Sequence, residues 1–195
     1  MARLRVVLAL AAAMLLTAAC GSGAATRTAS IGFSGSDIRF LQDMIGHHQQ
    51  AIDMAVLVEG RSHRRELVGF AAGIATTRQA EISTMRRWLT QWNQPQPPAT
   101  TAADAESSPP GMLGGGQLDW LKLLKGSRFD LGFVTMMDTH HGGAVTMAET
   151  ELRAGASLEV KELAGRILAT QNAELGRLHD WKEAWSSGAG HASGG

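Results

Sequence analysis

The chain has 195 residues with 18 basic and 18 acidic side chains, so its formal net charge at neutral pH is zero. This balance, without long runs of basic residues, argues against nucleic acid as a partner. A single cysteine excludes an internal disulfide, so the fold must be stabilised by a hydrophobic core, for which the chain is long enough.

Residues 1–20 have the pattern of an export signal. Two arginines precede an apolar stretch, residues 6–16, and small residues then lead to Cys20. The apolar stretch is about half the roughly 20 residues that a membrane-spanning helix needs. Cys20 resembles the modified cysteine of a bacterial lipobox, although Leu16 lies one position further from it than is usual. The pattern predicts a lipid anchor at the outer face of the cell membrane, with a soluble secreted form as the alternative.

Residues 21–33 are small and polar and predict a flexible tether. Two repeats follow, and their matching residues are separated by a constant offset of 93 positions. Residues 34–92 form the first repeat, and residues 127–185 match it without a gap. Since most positions differ, the polar residues that are identical in both repeats are candidates for a shared function. The identical pairs include Asp37 and Asp130, Phe40 and Phe133, Met44 and Met137, His47 and His140, His48 and His141, Ala51 and Ala144, Met54 and Met147, and Glu81 and Glu174.

Four long proline-free segments show helical periodicity, and no segment shows the alternation of a strand. Ser34 with Asp37, and Ser127 with Asp130, predict capping boxes at the start of the first and third helices. A glycine and a serine interrupt each repeat and predict a very short turn, so each repeat is expected to be an antiparallel hairpin. The predicted fold is an all-α, ferritin-like four-helix bundle made from two tandem hairpins.

Residues 93–117 lie between the hairpins, contain all five prolines and predict a linker. The second hairpin is assigned to residues 118–186, with a short helix predicted from Leu118 to Lys125. Residues 187–195 are small and polar and predict a flexible tail.

A His-His pair lies on the core-facing side of the first and third helices, with methionines on the same stripe. Because buried imidazoles need a partner, and because imidazole and thioether ligands together suit copper, this pattern predicts a copper site. Glu81 and Glu174 are predicted to be structural partners either of the histidines or of Arg and Trp donors. Direct binding of the ion by Glu81 is not expected, since helical rise separates it from His47 by about 9 Å in height. The predicted ligands are His47, His48, His140, His141, Met44, Met54, Met137 and Met147.

The doubled Met-x-x-His-His-x-x-Ala pattern, in the segments 40–55 and 129–148, resembles the bacterial secreted proteins grouped as domain of unknown function 305. The resemblance extends over residues 34–185. It implies a ferritin-like bundle of two similar hairpins, a functional role for the paired histidines and, from some relatives, copper handling outside the cytoplasm.

The sequence therefore predicts an extracytoplasmic protein that sequesters or delivers copper, with iron or zinc as alternative ions. One alternative is a metal-free structural or interaction module of the cell envelope, in which the histidines form a polar network. Another is a metal-dependent oxidase, although Met44 and Met137 stand where di-iron proteins carry a bridging glutamate. No nucleophile with a base at a recognisable spacing supports other catalysis. A homo-oligomer and a protein partner for delivery remain open alternatives.

Overall fold

The computed structural model describes residues 32–97 and 108–189. The export signal with Cys20, most of the predicted tether, the middle of the predicted linker and the end of the predicted tail lie outside these ranges. The described residues form helices and no strand, which confirms the predicted all-α fold. None of these helices is long and apolar enough to cross a membrane. The helices are α1 (Gly35–Ala55), α2 (Arg65–Gln91), α3 (Gly115–Leu123), α4 (Gly126–Ala154) and α5 (Leu158–Ala189).

The start of α1 is fixed by the capping box that the sequence predicts. Ser34 Oγ accepts hydrogen bonds from the N–H groups of Ser36 and Asp37, and the Asp37 carboxylate accepts one from the Ser34 N–H. The same carboxylate accepts hydrogen bonds from the N–H groups of Ala156 at 3.0 Å and Ser157 at 2.9 Å. Asp37 therefore holds the first turn of α1 against the start of α5.

The matching capping box predicted for α4 is wrong. The helix already begins at Gly126, and its N-cap residue makes no side-chain capping bond. Gly126 has a φ of 58°, and its N–H donates to the Arg61 carbonyl at 2.7 Å, so Ser127 is already inside the helix. Asp130 instead accepts a hydrogen bond from Arg64 Nε at 3.1 Å. This ion pair joins the start of α4 to the start of α2.

Two hairpins, α1 with α2 and α4 with α5, pack together mainly through α1 and α4. The α1–α2 connection, residues 56–64, is longer than predicted, because α1 ends at Ala55 and further turns follow before α2 begins. Other boundaries also differ from the sequence assignment. Phe33 stacks on Trp92 with ring centroids 4.1 Å apart, α3 begins inside the predicted linker, and α5 continues to Ala189.

The segment ahead of α3 crosses the bundle as a strap, which we define as residues 109–113. Gln50 of α1 holds it at two points, because Gln50 Nε2 donates to the Leu113 carbonyl at 2.9 Å and Gln50 Oε1 accepts from the Leu113 N–H at 2.8 Å. Gly111 has a φ of 77°, and a β-carbon there would lie 2.8 Å from the Cα of Gly143 in α4. Glycine is therefore required where the strap meets α4.

Candidate metal centre

The four paired histidines lie in the interior of the bundle, each with 0% relative exposure. Two hydrophobic clusters flank them along α1 and α4. One cluster contains Met44 and Met147, and the other contains Met54 and Met137. Since each histidine pair stands between a methionine of one cluster and a methionine of the other on its own helix, the histidines form a polar layer across the middle of the core. The histidine layer consists of His47, His48, His140 and His141.

At the centre of this layer the rings of His47 and His140 face each other, with centroids 3.7 Å apart and planes inclined by 35°. No hydrogen bond within the described residues reaches either nitrogen of either ring, although the Pro110 carbonyl lies close to His47. Burial lowers the pKa of both imidazoles well below the usual value, so both are neutral at pH 7. A neutral imidazole has a free nitrogen lone pair that can bind a metal ion.

A glutamate from the partner helix stands behind each outer histidine. His48 Nε2 lies 2.7 Å from Glu81 Oε2, and His141 Nε2 lies 2.8 Å from Glu174 Oε2 with poorer hydrogen-bond alignment. Burial lowers the pKa of His48 to about 4 and that of His141 in the same direction, which outweighs the opposing effect of the glutamates. Both histidines are therefore neutral, and the Nε2–H of His48 donates to the carboxylate.

The two glutamates remain ionised in this setting. Burial raises their pKa, but the contacts with the histidines and with Arg78 outweigh it, and the pKa of each carboxyl is lowered overall. With Nε2 directed at the carboxylate, the Nδ1 atoms of His48 and His141 have no hydrogen-bond partner among the described residues. A carboxylate behind an imidazole fixes its tautomer and orientation, as is common for histidines that bind metals.

Glu81 contacts His48 although the sequence predicted a separation of about 9 Å in height between Glu81 and His47. That prediction counted helical residues from Ser62, whereas α2 begins at Arg65, so fewer helical residues lie between the turn and Glu81. Side chains in a helix also lean towards its N-terminus. Because α1 and α2 are antiparallel, the side chains of His48 and Glu81 lean towards each other and close the remaining gap.

Arg78 was not among the predicted site residues, yet its fully buried guanidinium joins the two carboxylates. Arg78 Nη1 lies 3.4 Å from Glu81 Oε2, and Nη2 donates to Glu174 Oε2 across the space between α2 and α5. The equivalent residue of the second repeat is Gln171, which is also fully buried and whose amide atoms lack a partner among the described residues. The sequence does contain a signal for both residues. At this position each repeat has a polar residue within its apolar stripe, but the residue type differs between the repeats.

The predicted methionine ligands lie on either side of the histidines along α1 and α4, in the two flanking clusters. Met44, Met54 and Met137 have no exposed surface, and Met147 is 8% exposed. Each lies three or seven residues from the central histidine of its own helix and therefore on the same face. Thioether sulfur favours Cu(I) among the biological metals.

Within the described residues, no group of three or more His, Cys, Asp or Glu side chains is arranged as a metal site. The bundle interior places four neutral imidazoles, most of whose nitrogens lack partners among these residues, between two clusters that contain the methionines. Imidazole and thioether are donor types that suit a soft metal ion.

A cleft of about 610 Å³ opens between the first half of α1 and the second half of α4. Its lining includes the exposed residues Asp43 and Pro110 and the buried residues Glu151 and Met147. Pro110, whose carbonyl lies close to His47, is the lining residue nearest to the histidine layer in these contacts.

Comparisons with known proteins agree with this architecture. The sequence profile of the domain of unknown function (DUF305) matches residues 37–187. No curated protein matches the chain. A DUF305 protein from Streptomyces coelicolor, described as secreted, is 27% identical with a TM-score of 0.71, and the match covers 77% of this chain and 94% of that one. A DUF305 fragment from Deinococcus radiodurans is 28% identical with a TM-score of 0.70 and coverages of 77% and 97%.

A third similar structure is CopM in its Cu(II)-bound form. It is 29% identical with a TM-score of 0.68, and the match covers 76% of this chain and 97% of that one. CopM has also been solved in Cu(I)-bound and Ag-bound forms. The profile match extends over most of the sequence, and the chain belongs to the DUF305 family.

Proposed function

We propose that this protein binds copper outside the cytoplasm and sequesters or delivers it. The observation that carries the proposal is the layer of four buried, neutral imidazoles whose nitrogens largely lack hydrogen-bond partners. A buried polar atom without a partner destabilises the fold by about 1–3 kcal/mol. A bound ion supplies the missing partner, so the centre gains stability when it is occupied.

His47 and His140 are the proposed central ligands, because each neutral ring keeps one nitrogen lone pair that accepts no hydrogen bond from the described residues. His48 and His141 would bind through Nδ1, held in place by Glu81 and Glu174 as supporting residues. The proposed thioether ligands are Met44, Met54, Met137 and Met147.

Two lines of support favour copper over zinc or iron. The thioethers next to the imidazoles are soft ligands, which suit Cu(I) and contribute little to binding of zinc or iron. The structurally similar CopM has been solved with Cu(I), Cu(II) and Ag bound. An iron-dependent oxidase is not supported, because methionines occupy the positions of the bridging carboxylates.

The proposed location is the outer face of the cell membrane, with Cys20 as the lipidated residue after removal of residues 1–20. Support comes from the export pattern of the sequence and from the similar Streptomyces coelicolor protein that is described as secreted. At this location the protein would meet copper before the ion reaches the cytoplasm.

The second candidate is a metal-free envelope module in which the polar layer fixes the packing of the two hairpins. The network that links His48, Glu81 and Arg78 to Glu174 favours it, because buried polar groups that satisfy one another can specify a packing arrangement. This candidate predicts a folded protein that acquires no copper.

The test is copper affinity of protein purified without a histidine tag, measured by competition with a chromophoric Cu(I) chelator. The double variant His47→Leu with His140→Leu should lose at least about a hundredfold in affinity, since two ligands are removed. The matched control replaces His63 and His179, both exposed, in the same way. Circular dichroism checks that both variants are folded. Equal copper affinity of both double variants would refute the proposed ligands, and a folded wild-type protein that takes up no copper would favour the envelope module.

A further inference from the structure

The candidate centre is asymmetric in charge at one position. Arg78 of α2 and its repeat equivalent Gln171 of α5 are both fully buried, yet one is cationic and the other neutral. The Arg78 guanidinium contacts Glu81 on its own helix and Glu174 on α5. One fully buried cation is therefore shared by two partly buried carboxylates, whose side chains are 13% and 14% exposed.

The charges of this cluster do not cancel. Histidine binds metal ions as neutral imidazole, so in the occupied centre the histidines contribute no charge. Glu81 and Glu174 contribute two negative charges, and Arg78 contributes one positive charge, which leaves one negative charge in the interior. The nearby Asp138 does not alter this balance, because Lys182 neutralises it at 3.1 Å. An uncompensated charge in the core is costly, and a bound cation offsets it.

We propose that Arg78 makes the centre selective for singly charged soft ions over doubly charged ions. A monovalent ion brings the cluster to neutrality, whereas a divalent ion leaves one positive charge in a core from which water is excluded. If glutamine stood at position 78, as it does at 171, the cluster would carry two negative charges and would match a divalent ion. This inference rests on the proposed metal-binding function. It adds that Arg78 is the residue by which the centre selects ions according to their charge.

The experiment compares dissociation constants for Cu(I) and Zn(II), which both have filled d shells and so differ in charge and softness but not in ligand-field preference. Arg78→Gln should shift the ratio of the two constants towards Zn(II) by about tenfold or more, as expected for one charge at short range. Arg87→Gln is the matched control, because Arg87 lies on the same helix and is exposed. Its ratio should equal that of the wild type.

Two further variants separate charge from packing. Arg78→Lys keeps the positive charge and should keep the wild-type ratio. Gln171→Glu is nearly isosteric, lies one turn before Glu174 on α5, and adds one negative charge while Arg78 stays in place. It should shift the ratio towards Zn(II), as Arg78→Gln does, and it carries the test if Arg78→Gln does not fold.

Three outcomes would overturn the inference. An unchanged ratio in folded Arg78→Gln would show that Arg78 does not act through its charge. An unchanged ratio in folded Gln171→Glu would show that the net charge of the cluster does not set the ratio. Loss of Cu(I) preference in Arg78→Lys would also overturn the inference, since the charge is retained. A wild-type protein that binds neither ion would instead refute the proposed function itself.

Discussion

Gly143 in α4 and Pro110 in the strap are in direct backbone contact. A β-carbon at position 143 would overlap the carbonyl oxygen of Pro110. The repeat equivalent of Gly143 is Gln50, which binds the same strap through both atoms of its amide group. One repeat therefore provides the space for the strap and the other provides the hydrogen bonds that hold it beside the histidine layer.

Gly143→Ala should displace the strap, because the obstructing atoms belong to backbone and not to a flexible side chain. We expect a loss of about 1–3 kcal/mol in unfolding free energy, as for other overpacked positions. The Leu113 N–H, which donates to Gln50, should also lose protection from hydrogen exchange.

The neighbouring Gly142 provides the control, because no atom lies within 4 Å of a β-carbon built there. Gly142→Ala should stabilise the helix by up to about 1 kcal/mol. Urea unfolding and amide exchange of both variants check the prediction. A Gly143→Ala protein as stable as Gly142→Ala, with Leu113 still protected, would show that the strap is not held as described.

The methionines can be tested separately from packing. Met44→Leu with Met147→Leu keeps the volume of the cluster and should cost less than about 1.5 kcal/mol per site in stability. If the sulfurs bind Cu(I), affinity for Cu(I) should fall by about tenfold or more while affinity for Zn(II) changes little. Met85→Leu, also fully buried but outside the histidine helices, is the control. Unchanged Cu(I) affinity in the double variant would assign these methionines to packing alone.

The sequence predicted the helices and the buried histidines well, because both follow from hydrophobic periodicity and from identity between the repeats. It did not predict the strap, whose path depends on the left-handed conformation of Gly111 and on the two-point hydrogen bonding of Gln50. It also did not predict Arg78. The site residues were chosen because they are identical in both repeats, and position 78 differs from its equivalent, Gln171. In this chain, Gln50 with Gly143 and Arg78 with Gln171 are positions at which the repeats differ, and both pairs lie at the candidate centre.

The buried histidines should make the metal-free protein sensitive to acid. The folded-state pKa of His48 is depressed from 6.5 to about 4, with burial as the main cause. The neutral form is therefore favoured in the folded state. The associated stability is fully present above pH 6.5 and is lost as the pH falls through about 4. For His48 alone the loss is about 3 kcal/mol at most, and the other three histidines act in the same direction.

Urea unfolding in the presence of a chelator, at pH 7.5 and at pH 5, measures this effect. The variant with leucine at positions 47 and 140 should show a shallower decline than the wild type, because it lacks two imidazoles that take up protons on unfolding at pH 5. An equal decline in both proteins would mean that His47 and His140 do not contribute to it.

Glu151 should have the opposite pH dependence between pH 4.5 and about pH 8, so within this range its contribution opposes that of the histidines. Burial, reinforced by the neighbouring Asp37 carboxylate, raises the pKa of Glu151 from 4.5 to about 8. Hydrogen bonds oppose burial at Asp37 and lower its pKa to about 2, so this pair holds a proton on Glu151 and a charge on Asp37 at neutral pH. Because the folded-state pKa of Glu151 is raised, its stabilisation is complete below pH 4.5 and is lost as the pH rises through about 8.

Glu151→Gln keeps the shape of the protonated side chain but cannot ionise. Its unfolding free energy should therefore be nearly constant between pH 7 and pH 9, where the wild type loses roughly 1–2 kcal/mol. Glu149→Gln, at an exposed position of the same helix, should follow the wild type. Denaturant unfolding at several pH values would show the three curves directly. If the Glu151→Gln protein declined as steeply as the wild type, another group would have to carry the alkaline titration, and Glu151 would be ionised beside Asp37.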